Sequence, residues 1–208
     1  MLTSLFNWFT KISAWPILQV AFRIKVLYED RNVQGTKIKG AAIIVSNHTS
    51  VWDYAAMLFV FFGRTLRVPM AEVLFEKKVL RIFLKAMGGI RVNRAEHDFR
   101  FMIPLENALK KGGVVLAFPE SRIPEPQEER PLEFKPSMAY LALKTGVPVI
   151  PVYTNGAYFC MPRTRVVVGK PLDLRKCCTD LENVRESIRE ANTVMRNAVI
   201  ALGKRVNE

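Results

Sequence analysis

The sequence predicts an α/β fold: a mixed or largely parallel sheet flanked by helices, with an N-terminal amphipathic helical segment that associates with a membrane. Three observations predict it. Short runs of branched apolar residues, such as AAIIVS at 41–46 and VVLAF at 114–118, have strand length. Stretches with apolar residues at helical spacing separate them, and alternating strands and helices build layered α/β domains. The first 22 residues are rich in Leu, Ile, Phe and Trp and carry one charge, Lys11.

That first segment has no basic stretch ahead of its apolar residues and no small-residue cleavage site, so it does not read as a signal peptide. Asn7, Thr10, Lys11, Ser13, Pro16 and Gln19 interrupt it, whereas a membrane span needs ~20 predominantly apolar residues. Trp8 and Trp15 suit a helix lying in the interface. The competing reading is an ordinary helix whose start is buried.

Ala41–Ser46 is the first strand, and Asp53–Phe62 follows as an apolar helix. Glu76–Met87 places Val79, Leu80, Ile82, Phe83 and Leu84 at helical spacing and is stopped by Gly88-Gly89. Asp98–Lys111 is helical, with Pro104 expected to kink or restart it. Val114–Phe118 is a second buried strand, and Pro136 suits the first turn of a helix running to Thr145. Val147–Tyr153 and Arg165–Val168 are further strands. The last helix, Thr179–Leu202, opens with a capping box of Thr179 and Glu182. Its apolar stripe comprises Leu181, Val184, Ile188, Ala191, Met195, Ala198 and Leu202. The irregular stretch Arg122–Lys135 is long enough to be functional or mobile. No linker separates two domains.

The chain of 208 residues holds 31 Lys plus Arg against 19 Asp plus Glu, a formal charge of +12. Such a charge suits nucleic acid or an anionic membrane surface. There is no nucleic-acid-binding motif and no aromatic-interleaved basic stripe, so no nucleic-acid partner is expected. Cys160, Cys177 and Cys178 have no metal-ligand spacing and read as reduced thiols in a cytoplasmic setting. Half of the residues are hydrophobic, which excludes a disordered chain.

The chemistry centres on Ser46-Asn47-His48-Thr49-Ser50-Val51-Trp52-Asp53, directly after the first strand. Within one helix, residues five apart point about 140° away from each other. With His48 in the turn and Asp53 at the helix start, the carboxylate can instead reach back to the imidazole. It would fix the tautomer and stabilise the imidazolium, so that His48 can take a proton from an alcohol. No seryl or cysteinyl nucleophile is then needed, because the acceptor hydroxyl attacks. A His and an Asp at this spacing are common by chance. The other histidine, His97, sits among charged residues near a helix start and reads as solvated or capping.

Three segments follow in order: Gly88-Gly89-Ile90-Arg91-Val92-Asn93-Arg94, Phe118-Pro119-Glu120-Ser121-Arg122 and Val147-Pro148-Val149-Ile150-Pro151-Val152. Ligands of open α/β sheets gather beyond the carboxyl ends of strands, where His48, Glu120 and Arg122 all stand. Arginines there suit a phosphate. The plainer alternatives are a solvated strand edge for Arg91 and Arg94, and an ion pair with an arginine for Glu120.

Together the four segments resemble the glycerolipid acyltransferase family, which includes the bacterial lysophosphatidic acid acyltransferases. Its hallmarks are a His-x4-Asp box, a Gly-x4-(Asp/Asn)-Arg-like box, a Phe-Pro-Glu-Gly box and a Val-Pro-(Ile/Val)-x-Pro-Val box. The similarity runs from about Gly40 to Pro171. It implies a glycerol-phosphate acyltransferase-like fold, with a membrane-associating segment at 1–30 and an acyltransferase domain at 31–208. His48 would be the general base and Asp53 its partner. Arg94, Glu120, Ser121 and Arg122 would form the substrate site, the arginines and Glu120 binding the glycerol phosphate, and Pro151 would shape it. The acceptor would be a lysophospholipid, first of all 1-acyl-sn-glycerol 3-phosphate. The donor would be an acyl-CoA or acyl carrier protein thioester, with no metal or bound cofactor, at the cytoplasmic face of a membrane. Ser121 stands where the family usually has glycine, Asn93 where aspartate is commoner, and Met70 where a lysine often precedes the glutamate matched by Glu72. These departures keep open another lysolipid acceptor, with a larger head group or an N-acyl amino-acid backbone.

Overall fold

In the computed structural model, which describes residues 2–92, 99–159, 163–178 and 183–206, a sheet of seven strands lies between two helical layers. The chain starts with helix α1, Leu2–Phe22, and strand β1, Lys25–Tyr28. It continues through β2 (Ala42–Ser46), α2 (Asp53–Val60), β3 (Leu66–Ala71), α3 (Lys78–Met87) and β4 (Gly89–Val92). Then come α4 (Met102–Lys110), β5 (Val114–Ala117), α5 (Ser137–Thr145), β6 (Val149–Thr154), β7 (Arg165–Val168) and α6 (Val184–Arg205).

The strands lie in the order β1-β7-β6-β2-β5-β3-β4. The five from β6 to β4 are parallel, while β7 runs antiparallel to β6 and carries β1 parallel beside it. The sheet is therefore mixed. Side chains alternate across it with the strand period of two. Ile44 faces Met57, Phe61, Leu84 and Met87 of the α2–α3 layer. Ile43 and Val45 face Leu105, Leu109, Leu141 and Val199 of the α4–α5–α6 layer. The carboxyl ends of β2, β5 and β6 share one edge of the sheet, and there the β2–α2 turn sits.

Two strands escape the sequence pattern. In β3, Arg67 and Pro69 break the apolar run, although Leu66, Val68 and Met70 alternate inward as a half-buried strand should. β1 is an edge strand of four residues that follows directly on the apolar N-terminal segment. It falls before residue 31, so the sheet reaches into the segment divided off at 1–30. Pro104 restarts its helix rather than kinking it. A 3₁₀ turn, Phe99–Phe101, precedes α4, and Pro104 is the third residue of α4, where a backbone N–H has no partner to lose. Thr179 and Glu182 lie outside the described residues; α6 is capped by Asn183, whose side chain accepts from the Glu186 amide at 3.3 Å. Gly88 ends α3 at φ 103°, and a Cβ there would collide with the carbonyl of Leu66. The 122–135 stretch is pinned at its far end. Phe134 is buried, and Arg196 of α6 donates to the carbonyls of Pro131 at 2.8 Å and Leu132 at 3.1 Å.

Helix α1 turns Asn7 and Lys11 inward. Lys11 is only 2% exposed, and its ammonium donates to the carbonyls of Phe62 at 3.0 Å and Arg64 at 2.7 Å, just past the end of α2. Buried Asn7 donates to the carbonyl of Met87, the last residue of α3, at 3.3 Å. Helix ends leave carbonyls without partners, and α1 supplies donors to three carbonyls at the ends of two helices. Burial pushes the Lys11 ammonium down to about 8. The outward side shows Leu5, Phe9, Ile12, Ile17 and Val20 to the surroundings. Among the described residues, no helix is long and apolar enough to cross a membrane.

Candidate functional site

β2 ends at Ser46, and the next six residues turn so that α2 starts on Asp53. The Asp53 side chain is fully buried. One carboxylate oxygen, Oδ2, stands 2.7 Å from His48 Nδ1 and accepts the amides of Thr49 at 2.6 Å and Ser50 at 2.9 Å. The other, Oδ1, accepts the hydroxyls of Thr49 at 2.7 Å and Tyr158 at 2.7 Å. Burial alone would raise this carboxyl. The hydrogen bonds from His48, Tyr158, Ser50 and Thr49 outweigh burial and hold it below its usual value. Asp53 is thus an anion held by fixed donors.

His48 is 21% exposed and stacks on Phe118 at the end of β5, with ring centroids 4.5 Å apart and planes 19° from parallel. A carboxylate at Nδ1 selects the tautomer protonated there and leaves the Nε2 lone pair available. The arrangement can therefore receive a proton at Nε2 and stabilise the resulting cation through Asp53.

Glu120 is also brought to this cluster. It is 3% exposed, and its carboxylate accepts the His48 amide at 2.7 Å and the Leu132 amide at 2.8 Å. Burial pushes its carboxyl up, against the two amides. Both oxygens are committed to backbone, so Glu120 joins the His48 turn to the 122–135 loop. The neighbouring Ser121 adopts a left-handed φ of 64°, the conformation that favours glycine. Arg122 is exposed and makes a two-pronged ion pair with Glu128: Nη1 lies 2.6 Å from Oε2, and Nη2 also meets Oε1. The Glu125 amide donates to the same carboxylate at 2.7 Å, and Arg122 pulls the Glu128 carboxyl down to about 2. Pro151 lies buried inside β6, opposite Val45. Arg94, Asn93 and His97 lie outside the described residues. Arg91 pairs with Glu72 at 2.8 Å, and Met70 is buried in β3. Cys177 and Cys178 are free thiols, and Cys160 lies outside the described residues. Among the described residues, no group of three or more His, Cys, Asp and Glu side chains is placed to hold a metal.

Four supporting residues carry no role in the sequence reading. Tyr158 is 105 residues from Asp53, so nothing local links them. Thr49 belongs to the quoted turn, but its two bonds to Asp53 need the fold to be seen. The Asn47 amide clamps the end of β6, donating to the Thr154 carbonyl at 2.9 Å and accepting its amide at 2.8 Å. Gly156 has φ 66°, and a Cβ there would collide with the Thr49 hydroxyl. An Asn-Gly pair after a strand was the available signal for that turn.

Residues 24–155 match the sequence profile described as Acyltransferase. The chain is 26% identical over 162 residues to the chloroplastic 1-acyl-sn-glycerol-3-phosphate acyltransferase LPAT1 of Arabidopsis thaliana, covering 72% of this chain and 44% of that protein. It is 26% identical over 161 residues to the chloroplastic 1-acyl-sn-glycerol-3-phosphate acyltransferase BAT2 of Brassica napus, covering 72% and 46%. The chain spans about half the length of these curated relatives. In fold it is similar to the crystal structure of the 1-acyl-sn-glycerophosphate acyltransferase PlsC from Thermotoga maritima, with a TM-score of 0.62 and 24% identity, over 88% of this chain and 73% of that one.

Proposed function

The chain belongs to the acyltransferase family, and from that premise we propose that it moves an acyl chain from a thioester, acyl-CoA or acyl carrier protein, to the free hydroxyl of a lysophospholipid. The acceptor is 1-acyl-sn-glycerol 3-phosphate and the product phosphatidic acid. The observation that carries this reading is the 2.7 Å contact between His48 Nδ1 and an Asp53 carboxylate fixed by backbone and hydroxyl donors.

His48 Nε2 takes the hydroxyl proton as the oxygen attacks the thioester carbonyl carbon. The tetrahedral intermediate collapses with cleavage of the C–S bond, and the imidazolium returns the proton to the departing thiolate. An ester and a free thiol result. Asp53 offsets the charge on the imidazolium throughout. Arg122 and Arg94 are the phosphate ligands of this reading. Buried Met70 leaves no lysine at its position, and backbone amides are then the donors for the oxyanion.

A membrane is the natural place for such an acceptor. The outward face of α1 presents Leu5, Phe9, Ile12, Ile17 and Val20, and its one lysine is turned inward, which supports peripheral insertion of α1 into a membrane; the cytoplasmic face is the side this reading assigns.

The Arg122–Glu128 pair favours a second reading of the acceptor. An arginine already neutralised by a carboxylate suits a head group whose phosphate is a diester better than one with a dianionic monoester. A donor-by-acceptor matrix with purified protein in detergent decides. Turnover of 1-acyl-sn-glycerol 3-phosphate with either thioester supports the first reading; turnover of other lysolipids alone replaces it with the second. His48→Ala should lower acyl transfer by at least about 10³-fold while leaving the thermal melt unchanged. Full activity in that variant would overturn the mechanism.

A further inference from the structure

Helix α3 has an apolar arc wider than the protein buries. At about 100° per residue, Leu84 and Met87 point inward, and both are buried. Val79 and Ile82 lie along the adjoining flank, exposed at 82% and 61%, with Phe83 between the two sets. The far flank carries Lys78, Arg81 and Lys85, all exposed. From Lys77 to Arg91 the sequence holds five basic residues and no acidic one. The turn that leads into α3, Glu72–Phe75, also exposes Val73 and Leu74.

This surface continues that of α1. Phe6 of α1 meets Phe83 of α3 edge to face, ring centroids 6.2 Å apart, and both rings remain partly exposed. The two helices differ in charge. The outward side of α1 is uncharged, because Lys11 faces the protein. α3 pairs its apolar flank with three basic side chains on one helix.

Resting on the membrane reading above, we infer that α3 and the turn before it are a second membrane-binding element, one that senses the charge of the bilayer. Its occupant is a lipid surface rich in anionic head groups. Val79 and Ile82 enter the acyl boundary, while Lys78, Arg81 and Lys85 extend their stems to the phosphates. α1 supplies insertion that is indifferent to lipid charge, and α3 supplies the preference. The uncharged face beside the basic flank is what selects a bilayer over an acidic protein.

The test is co-sedimentation of the full chain with vesicles of phosphatidylcholine alone and of phosphatidylcholine with phosphatidylglycerol. Each basic residue at an anionic surface is worth about a fivefold change in partition. The triple variant Lys78→Gln, Arg81→Gln, Lys85→Gln should therefore bind anionic vesicles about 100-fold more weakly and neutral vesicles as before. Val79→Ser with Ile82→Ser should weaken binding to both. Phe9→Ser with Ile12→Ser should weaken both yet keep the preference for anionic lipid. An undiminished preference in the triple variant overturns the assignment. So does unchanged binding in the Val79, Ile82 variant, or a change in its oligomeric state in place of vesicle binding. Acyl transfer to a short-chain, water-soluble acceptor separates the two proposals. If transfer is absent but the vesicle pattern appears, the reaction fails and α3 stands; if transfer is intact but the preference is insensitive to α3, the reverse holds.

Discussion

Asp53 shows how much support one carboxylate gathers when its anionic form must persist in the interior. Two backbone amides, two hydroxyls and an imidazole converge on it. Hydrogen bonds to a charged group are worth about 1.5–3 kcal/mol each, so removing one of five should loosen the dyad without dismantling it. Tyr158→Phe is expected to lower kcat about tenfold and the melting temperature by several degrees, with KM for the acceptor little changed. Gly156→Ala forces a Cβ onto the Thr49 hydroxyl and should lower kcat as well, whereas Gly156→Asn, which tolerates the left-handed φ, meets the same collision and should rescue nothing. Glu120→Gln replaces one acceptor oxygen by a donor facing a backbone amide, at a cost of about 1–3 kcal/mol, read as a lower melting temperature together with lower kcat. Since Asp53 titrates below its ordinary value, its bonds contribute stability that is present above pH 3.8 and lost as pH falls through the folded value. In acid melts, Asp53→Asn should shrink the loss of melting temperature over that window. The sequence made His48 and Asp53 legible because they sit in one turn. Tyr158 was not, since its place beside Asp53 depends on β6 lying next to β2.

At the scale of elements, strong local patterns were readable and dependent ones were not. α6 and β5 stand out by apolar period and run length, and Gly88 marks the end of α3 by a φ only glycine takes easily. β3 was hidden because half of its residues face outward and one of them is proline. The orientation of α1 could not be read either. A lone lysine in an apolar stretch reads as a surface residue until the carbonyls past the end of α2 are seen waiting beneath it. Asn47 is the corresponding clamp between strands. Asn47→Ala leaves the amide and carbonyl of Thr154 buried without partners and should cost about 2–4 kcal/mol in chemical denaturation. The depressed Lys11 ammonium gives α1 a pH dependence of its own. The unfolded chain holds that proton up to 10.5 and the folded one only to about 8, so stability should rise between these values. Lys11→Met should abolish that rise and lower the melt at neutral pH.

At the scale of the molecule, the parallel block from β6 to β4 sets His48, Glu120 and Thr154 along one edge, while the reversed β7 and β1 close the far side. The net charge of +12 is then a property of the whole surface. Raising salt from about 0.1 to 1 M shortens the screening length from about 10 to 3 Å. Binding to anionic vesicles should weaken accordingly, and binding to neutral vesicles should persist. The inward donors of α1 bear on anyone who would make this protein easier to handle. Deleting an apolar leading helix is the usual route to a soluble enzyme. Here deletion would strip the donor from the carbonyls of Phe62 and Arg64, leave the Met87 carbonyl with Tyr54 alone, and remove Phe22, whose ring rests 5.1 Å from that of Tyr158. A detergent-free form is better sought by repainting the outer face at Leu5, Phe9, Ile12, Ile17 and Val20 with polar side chains, leaving Asn7 and Lys11 in place as the fasteners of the helix.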